Sequence, residues 1–107
     1  METISFEDFK KLELRAAKVM SAEKVEGSEK LVRLQVSIGD GERQIIAGIG
    51  KHYNPEELVG REIIIVANLE PRQLMGLESQ GMLLAAGEKE PVLLQPDKEV
   101  APGSLIH

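Results

Sequence analysis

The chain has 107 residues, of which 42% are hydrophobic and 29% charged, and its formal net charge is −5. This length and composition fit one globular domain with a single core and exclude an intrinsically disordered chain. Cysteine is absent, which excludes disulfides and thiolate metal sites. No apolar run approaches the roughly 20 residues of a membrane span, and the N-terminus lacks signal-peptide features. We therefore expect a cytoplasmic location and no membrane partner.

The first third of the chain predicts a short helix followed by a strand. Ser5 precedes an acid, Asp8, by three residues, which is a helix-capping pattern within residues 1–12. Residues from Leu12 to Val19 alternate, which predicts a first strand that continues towards Val25. This alternation assigns its two faces as follows: Leu12, Leu14 and Ala16 on one face, and Glu13, Arg15 and Ala17 on the other.

Two further strands and a second helix follow. Residues 31–38 alternate with Val32, Leu34, Val36 and Ile38 on one face, and residues 44–49 form the third predicted strand. Gly39-Asp40-Gly41 between them is a hairpin signal. A short helix is then predicted from three punctuating residues: Asn54 at its N-cap, Pro55 at its first position and Gly60 at its end.

The last predicted barrel strands flank a long loop. Residues 61–68 are mostly apolar, which predicts a strand buried on both faces. Residues 69–81 are predicted as a loop and residues 82–86 as the fifth strand. Residues 88–107 are broken by prolines, with a short strand candidate at residues 92–94. Because this tail is too apolar to be plainly disordered, we expect it to pack on the barrel or on a second copy.

Three strands, a short helix and two strands are the order of an OB-fold, an all-β, partly open five-stranded barrel. We therefore predict one domain over residues 1–107, with an N-terminal helix (1–12), a barrel (13–87) and a C-terminal extension (88–107) that is a candidate dimer contact. OB-folds bind ligands on strands 2 and 3 and on the loops joining strands 1 to 2 and 4 to 5.

Two compositional features fall on that side of the predicted barrel. The loop over residues 69–81 combines Leu74, Met75 and Leu77 with Arg72 and Ser79, a mixture more typical of a contact surface than of a plain connection. The segment from 10 to 33 has seven basic and four acidic side chains, a net charge of +3 in an acidic chain. An acidic protein can therefore still present a basic face to nucleic acid.

Several ordered motifs resemble the tRNA-binding domain family, which includes the C-terminal appendage of many bacterial methionyl-tRNA synthetases and free-standing tRNA-binding proteins. They are Leu14-Arg15-Ala16-Ala17-Lys18-Val19, Glu26-Gly27-Ser28-Glu29-Lys30-Leu31, Ala47-Gly48-Ile49, Val66-Ala67-Asn68-Leu69-x-Pro71-Arg72 and Ser79-x-Gly81-Met82-x-Leu84-Ala85-Ala86. The resemblance covers nearly the whole chain. It implies an OB-fold, homodimerisation through the terminal segments, and binding of tRNA by shape, with no catalysis. A methionyl-tRNA synthetase catalytic core is a further implied partner.

The residue chemistry fits recognition of an RNA backbone, which needs cations, small polar donors and close approach of a loop. The candidate tRNA-binding residues are Lys30, Arg33, Asn68, Arg72, Ser79, Met82, Lys18 and Arg15. Each also has a simpler structural interpretation: Ser79 lies in a common turn pattern, Asn68 suits a backbone cap, and Lys18 and Arg15 are equally suited to be outward-facing spacers.

Two other functions are alternatives for this sequence. One branch resembling this family is credited with peptide binding and a secretion-chaperone role, and OB surfaces are readily reused. An enzyme is disfavoured because the chain has two histidines, no cysteine, no phosphate-binding loop and no zinc spacing. We therefore predict no catalytic residue, no metal site and no cofactor.

Overall fold

The computed structural model covers residues 1–107 and forms an antiparallel barrel with two one-turn helices. Neither helix has the length and apolarity that a membrane crossing would need. The elements, in chain order, are α1 (Phe6–Phe9), β1 (Leu14–Lys24), β2 (Val32–Ser37), β3 (Glu42–Ala47), α2 (Pro55–Leu58), β4 (Glu62–Val66), β5 (Arg72–Leu74), β6 (Leu77–Ser79), β7 (Met82–Leu83), β8 (Ala85–Ala86) and β9 (Val92–Leu93).

The main sheet has five strands in the order β3-β2-β1-β4-β7, all antiparallel. Its open edge is nearly closed by bonds between β3 and the residues that follow β6. The Gln80 amide donates to the Gln44 carbonyl oxygen at 2.7 Å, and the Gln44 amide donates to Gln80 Oε1 at 2.9 Å. The predicted all-β, five-stranded barrel with a helix between strands 3 and 4 is therefore confirmed.

The barrel interior contains a cluster of twelve buried hydrophobic residues drawn from β1 to β4, from α2 and from the residues that follow β3 and β4. The predicted alternation in β2 is confirmed, since Val32, Leu34 and Val36 are buried and their neighbours are only partly so. The prediction for the fourth strand is also confirmed, because Ile63 to Val66 are all buried. A second cluster of Val25, Leu31 and Ile46 lies outside this interior.

Ala16 and Ala17, predicted on opposite faces of the first strand, are both fully buried, so β1 is covered on both faces at its centre. The C-terminal extension runs antiparallel beside the first half of β1. The Ala16 amide donates to the Ser104 carbonyl oxygen at 2.9 Å, and the Gly103 amide donates to the Ala16 carbonyl oxygen at 2.7 Å. The extension thus occupies an edge of β1 that β2 does not reach.

Two element boundaries differ from prediction. Residues 69–81 are not a plain loop, because β5 and β6 form a hairpin whose turn residues Met75 and Gly76 have φ of 50° and 79°. Positive φ at both turn positions is the geometry that suits two-residue hairpins. The predicted fifth strand over 82–86 is divided: β7 pairs with β4, whereas β8 leaves the barrel and pairs with β9.

Candidate nucleic-acid interface

Three of the eight predicted contact residues, Lys30, Arg72 and Met82, line one surface cleft of about 320 Å³. They come from three separate elements: the turn before β2, strand β5 and strand β7. The other lining residues are mostly apolar and come from the turn before β2, from β3 and the residue after it, from the hairpin and from β7: Leu31, Ile46, Ala47, Gly48, Leu74 and Leu83. The cleft therefore combines a hydrophobic lining with two cations.

Lys30 is held at this cleft by a tightly bonded turn. The Leu31 amide donates to Ser28 Oγ at 3.0 Å, and the Val25 amide donates to the Leu31 carbonyl oxygen at 3.0 Å. The Lys30 carbonyl oxygen accepts from the Gly50 amide at 2.7 Å. Because its backbone is fixed on both sides, the charged end of Lys30 varies in position only through its own side-chain rotamers.

Arg72 is positioned by the hairpin, and the hairpin by Ser79. Arg72 is the cross-strand partner of Ser79, whose Oγ accepts from the Ile46 amide at 3.0 Å and donates to the Gly81 carbonyl oxygen at 2.9 Å. Ser79 is 3% exposed, so both hydrogen-bonding functions of its hydroxyl are used inside the protein. Ser79, expected from the sequence as a tRNA contact, therefore anchors β6 to β3, and we leave it out of the proposed interface.

Apolar packing completes this anchoring. Leu74 and Leu77, on either side of the hairpin turn, pack against the second hydrophobic cluster of Val25, Leu31 and Ile46. The same cluster supplies Leu31 and Ile46 to the cleft. The hairpin and the turn that holds Lys30 thus share one small core, which fixes the two cations relative to each other.

The cations of the cleft differ from the two other arginine candidates, Arg15 and Arg33, in having no protein partner. Neither Lys30 nor Arg72 takes part in a salt bridge or a side-chain hydrogen bond. Arg33, by contrast, is paired with Glu23 and lies in a separate cleft with Met75 and Leu77. An exposed guanidinium without an internal partner keeps all its donors available for a ligand.

Two other candidates are used to hold the terminal segments. Arg15 donates from Nη1 to the Gly103 carbonyl oxygen at 2.7 Å and forms an ion pair with Glu13. Asn68 Oδ1 accepts from the Glu13 amide at 2.8 Å, and its Nδ2 donates to the Lys11 carbonyl oxygen at 2.7 Å. Both side chains therefore fasten the chain ends to the barrel, although Asn68 itself remains exposed.

Lys18 lies apart from the cleft of Lys30 and Arg72. It lines a different recess of about 400 Å³ with Glu62 and residues 95–100 of the C-terminal extension. That recess is bordered by carboxylates as well as cations, so it offers no uniformly positive surface. The structure thus divides the eight candidates into one compact group of three, one internal anchor and four residues elsewhere.

Sequence reasoning missed the apolar part of the cleft. Ile46 and Ala47 look like ordinary core residues of a strand, and only their position beside Lys30 and Arg72 gives them a surface role. Gly48 belongs to the Ala47-Gly48-Ile49 motif, which was recognised by resemblance without a physical reason. Its lack of a side chain leaves the wall of the cleft open, since a Cβ there would meet only the Lys30 side chain, at 4.0 Å.

A barrel of this strand order, with a cationic and apolar cleft beside strands 2 and 3, is typical of OB-fold binding modules. The sequence matches the family model described as "Putative tRNA binding domain" over residues 14–105. The chain belongs to this tRNA-binding domain family.

Sequence relatives place it close to the methionyl-tRNA synthetases. It is 55% identical over 107 residues to the methionine–tRNA ligase of Caldanaerobacter subterraneus subsp. tengcongensis, covering 99% of this chain and 17% of that protein. It is 53% identical over 106 residues to the ligase of Methanococcus aeolicus, covering 99% and 16%. The chain thus spans about one sixth of the length of these curated relatives.

Two solved structures match over almost the full length of both chains. A MetRS-related protein from Pyrococcus horikoshii superposes with a TM-score of 0.94 at 37% identity, covering 100% of each chain. The chaperone CsaA from Bacillus anthracis superposes with a TM-score of 0.93 at 36% identity, covering 99% of this chain and 100% of that one. The same barrel is therefore found in proteins described as synthetase-related and as chaperones.

Proposed function

We propose that this chain is a non-catalytic tRNA-binding module that captures tRNA for a methionyl-tRNA synthetase core, either as part of a longer chain or as a separate protein, in the cytoplasm. The observation that carries the proposal is the pair of unpartnered cations, Lys30 and Arg72, beside an apolar cleft in a domain of the tRNA-binding family. Cations without internal partners are free to neutralise phosphates.

The charge distribution supports a weak, shape-directed interaction. Only a few cations surround the cleft, and the chain as a whole is acidic, so binding should be of modest affinity and strongly salt-dependent. Arg33, Arg15 and Lys18 would contribute only as outer contacts, since two of them are already paired. Capture of tRNA by such a module would raise its local concentration near a catalytic core.

We test this proposal by titrating fluorescent bulk tRNA into the folded chain at about 50 and about 200 mM salt. Binding should be measurable at the lower salt and weaken by at least about tenfold at the higher, as release of several counterions requires. An unfolded polypeptide, with its disulfides reduced, is added as a competitor of tRNA. No tRNA binding at low salt by protein that is shown to be folded would refute the proposal.

A second function, binding of unfolded peptides, is favoured by one observation. The structural match to the Bacillus anthracis chaperone is nearly as high as that to the synthetase-related protein, and the apolar lining of the cleft would also suit hydrophobic side chains. In the same titration, displacement of tRNA by micromolar unfolded polypeptide, together with tighter binding of the polypeptide, would reverse our ranking.

We further propose that the module acts as a homodimer. Both terminal segments are fastened near the beginning of β1, because the Ile106 amide donates to the Leu14 carbonyl oxygen and Asn68 Nδ2 donates to the Lys11 carbonyl oxygen. Large apolar side chains stand exposed on these segments: Ile4, Phe6, Phe9, Leu12 and Leu105. Contiguous exposed apolar surface often marks a protein–protein contact, and a dimer would present two clefts to one RNA.

The dimer is tested by a Phe6→Glu/Phe9→Glu variant. Phe6 and Phe9 are 70% and 39% exposed in the single chain, so the barrel should keep its stability. Sedimentation at micromolar concentration should change from dimer to monomer, and tRNA affinity should fall at least about tenfold through lost avidity. The control, Met20→Glu/Val59→Glu, replaces two exposed apolar residues elsewhere with the same charges and should remain dimeric. If the wild-type chain sediments as a monomer, the proposed dimer is contradicted and the proposed tRNA binding is not.

A further inference from the structure

The apolar lining of the cleft is not explained by binding to an RNA double helix. A duplex presents phosphates and 2′-hydroxyls on its outside, while its bases are stacked in the interior. Phosphates would engage Lys30 and Arg72, but they gain nothing from Leu31, Ile46 or Leu74. A recess that is lined by hydrophobic side chains and flanked by two unpartnered cations instead matches a ligand with one apolar face and one anionic group.

An unpaired nucleotide has this chemistry. Its base is a flat ring system with two weakly polar faces, and its phosphate lies a few bonds away. The cleft of about 320 Å³ is at the lower end of the range for small-ligand sites, which suits a single base and is too small for a base pair with its backbones. Met82 is 43% exposed and brings a polarisable thioether, which interacts favourably with ring systems.

We infer that the cleft takes one unpaired, unstacked nucleotide of an RNA, with the base against Leu31, Ile46 and Met82 and the phosphate at Lys30 and Arg72. The inference rests on the proposed function, because it names which part of an RNA the same site binds. The two cations are fixed relative to the apolar recess because Leu74 and Leu77 pack against the small core of Val25, Leu31 and Ile46, so base and phosphate would be recognised together.

The lining also determines how selective the site is. Apart from Lys30 and Arg72, its side chains carry no hydrogen-bonding group, so the Watson–Crick edge of a base finds no side-chain partner there. No aromatic residue lines the cleft either, so stacking of the kind used by strong single-strand binders is absent. The site therefore recognises that a base is unpaired without reading which base it is.

The methionine methyl groups provide a direct test, because the chain has four methionines and only Met82 lines this cleft. With ¹³C-methyl-methionine, a base in the cleft should move the Met82 resonance upfield through its ring current and leave Met20 unmoved. The probes are bulk tRNA, a short single-stranded RNA, the same strand with abasic sites, and a blunt-ended duplex. The tRNA and the single strand should shift Met82, whereas the abasic strand and the duplex should not.

A cleft-filling variant gives a second, independent readout. Gly48 has no positive φ, and a Cβ there meets only the flexible Lys30 side chain at 4.0 Å, so Gly48→Leu should be accommodated and occupy the recess. We expect it to weaken single-strand binding about tenfold. Gly41→Leu is the matched control, since Gly41 also lacks a positive φ and a Cβ there meets nothing within 4 Å. It should bind the single strand like the wild type.

The outcomes separate this inference from the proposed function. If tRNA does not bind, the proposed function fails and the inference with it. If tRNA saturates the protein and Met82 does not move, or the duplex moves Met82 as much as the single strand does, the inference fails and tRNA binding stands. If Gly48→Leu does not fold, the wild-type methyl shifts still decide between these outcomes.

Discussion

Replacing Gly103 with alanine is expected to detach the C-terminal extension and to lower the free energy of unfolding by about 3 kcal/mol. Gly103 has φ of +89°, and a Cβ there would overlap the carbonyl oxygen of Ile38. We expect the extension to relieve this overlap by moving away, which breaks the bonds that Gly103, Ser104 and Ile106 make with β1. Each backbone hydrogen bond contributes roughly 1 kcal/mol. The loss corresponds to a melting temperature lower by roughly 15 °C for a domain of this size.

Gly60 is a matched control for the backbone term. Its φ is +90°, almost the same as that of Gly103, but a Cβ there would meet nothing within 4 Å. Gly60→Ala should therefore cost only about 1 kcal/mol, the usual penalty for a left-handed backbone conformation without glycine. The free energies of unfolding of Gly103→Ala and Gly60→Ala, measured with denaturant, separate the cost of the steric overlap from the cost of the strained backbone. Equal destabilisation of the two would show that the extension does not depend on the fit of Gly103.

Hydrogen exchange localises the effect. The Ala16 amide is bonded to the Ser104 carbonyl oxygen, so its protection should fall in Gly103→Ala by more than that of amides in β2 and β3. Arg15 would also lose its acceptor on Gly103. If Ala16 kept its protection while overall stability fell, the overlap would have been relieved by displacement of Ile38, the other partner in the clash.

The features that could be predicted from the sequence are those set by local rules. The alternation of Val32, Leu34 and Val36 follows from the two-residue period of a strand with one buried face. The short second helix follows from Asn54 and Pro55, and the structure adds a bond from the Asn54 amide to Glu57 Oε1 at 2.9 Å. Such signals depend on neighbours within a few residues, which a single sequence displays.

The features that escaped prediction depend on distant partners or unusual turn residues. The β5–β6 hairpin has Met75 in a left-handed conformation, where asparagine or glycine is the usual signal. The role of Ser79 depends on Ile46, 33 residues away, and the strand-like pairing of residues 103–106 has no alternating pattern. Likewise, the sequence shows Arg33 and Arg72 as equivalent cations, whereas only the fold pairs Arg33 with Glu23 and leaves Arg72 free.

The double variant Lys30→Glu/Arg72→Glu is expected to weaken tRNA binding about 100-fold while leaving the fold intact. Each cation would make a charge-assisted bond to phosphate that contributes roughly 1.5 kcal/mol or more, and two such losses amount to about two powers of ten. The barrel should be unaffected, because both side chains are exposed and unpaired. Anisotropy titrations at several salt concentrations measure both the affinity and its salt dependence.

The control for this variant must carry the same charge. Lys89→Glu/Lys98→Glu also lowers the net charge of −5 by four units, but at exposed lysines of the C-terminal extension, outside the cleft. Both variants then have the same net charge, and salt screens charges distant from the RNA, so a difference between them reports local contacts. We expect the control to lose less than about threefold in affinity.

The salt dependence separates direct phosphate contacts from general repulsion. Removing two cations that neutralise phosphates should reduce the slope of log K against log salt concentration by about 1.5 to 2. A change in distant charge alters the affinity but leaves the number of counterions released on binding, and therefore the slope, unchanged. A wild-type slope retained in Lys30→Glu/Arg72→Glu would mean that the phosphates lie elsewhere. The paired arginines, Arg15 and Arg33, would then have to leave Glu13 and Glu23 to bind RNA, which makes them the next pair to replace.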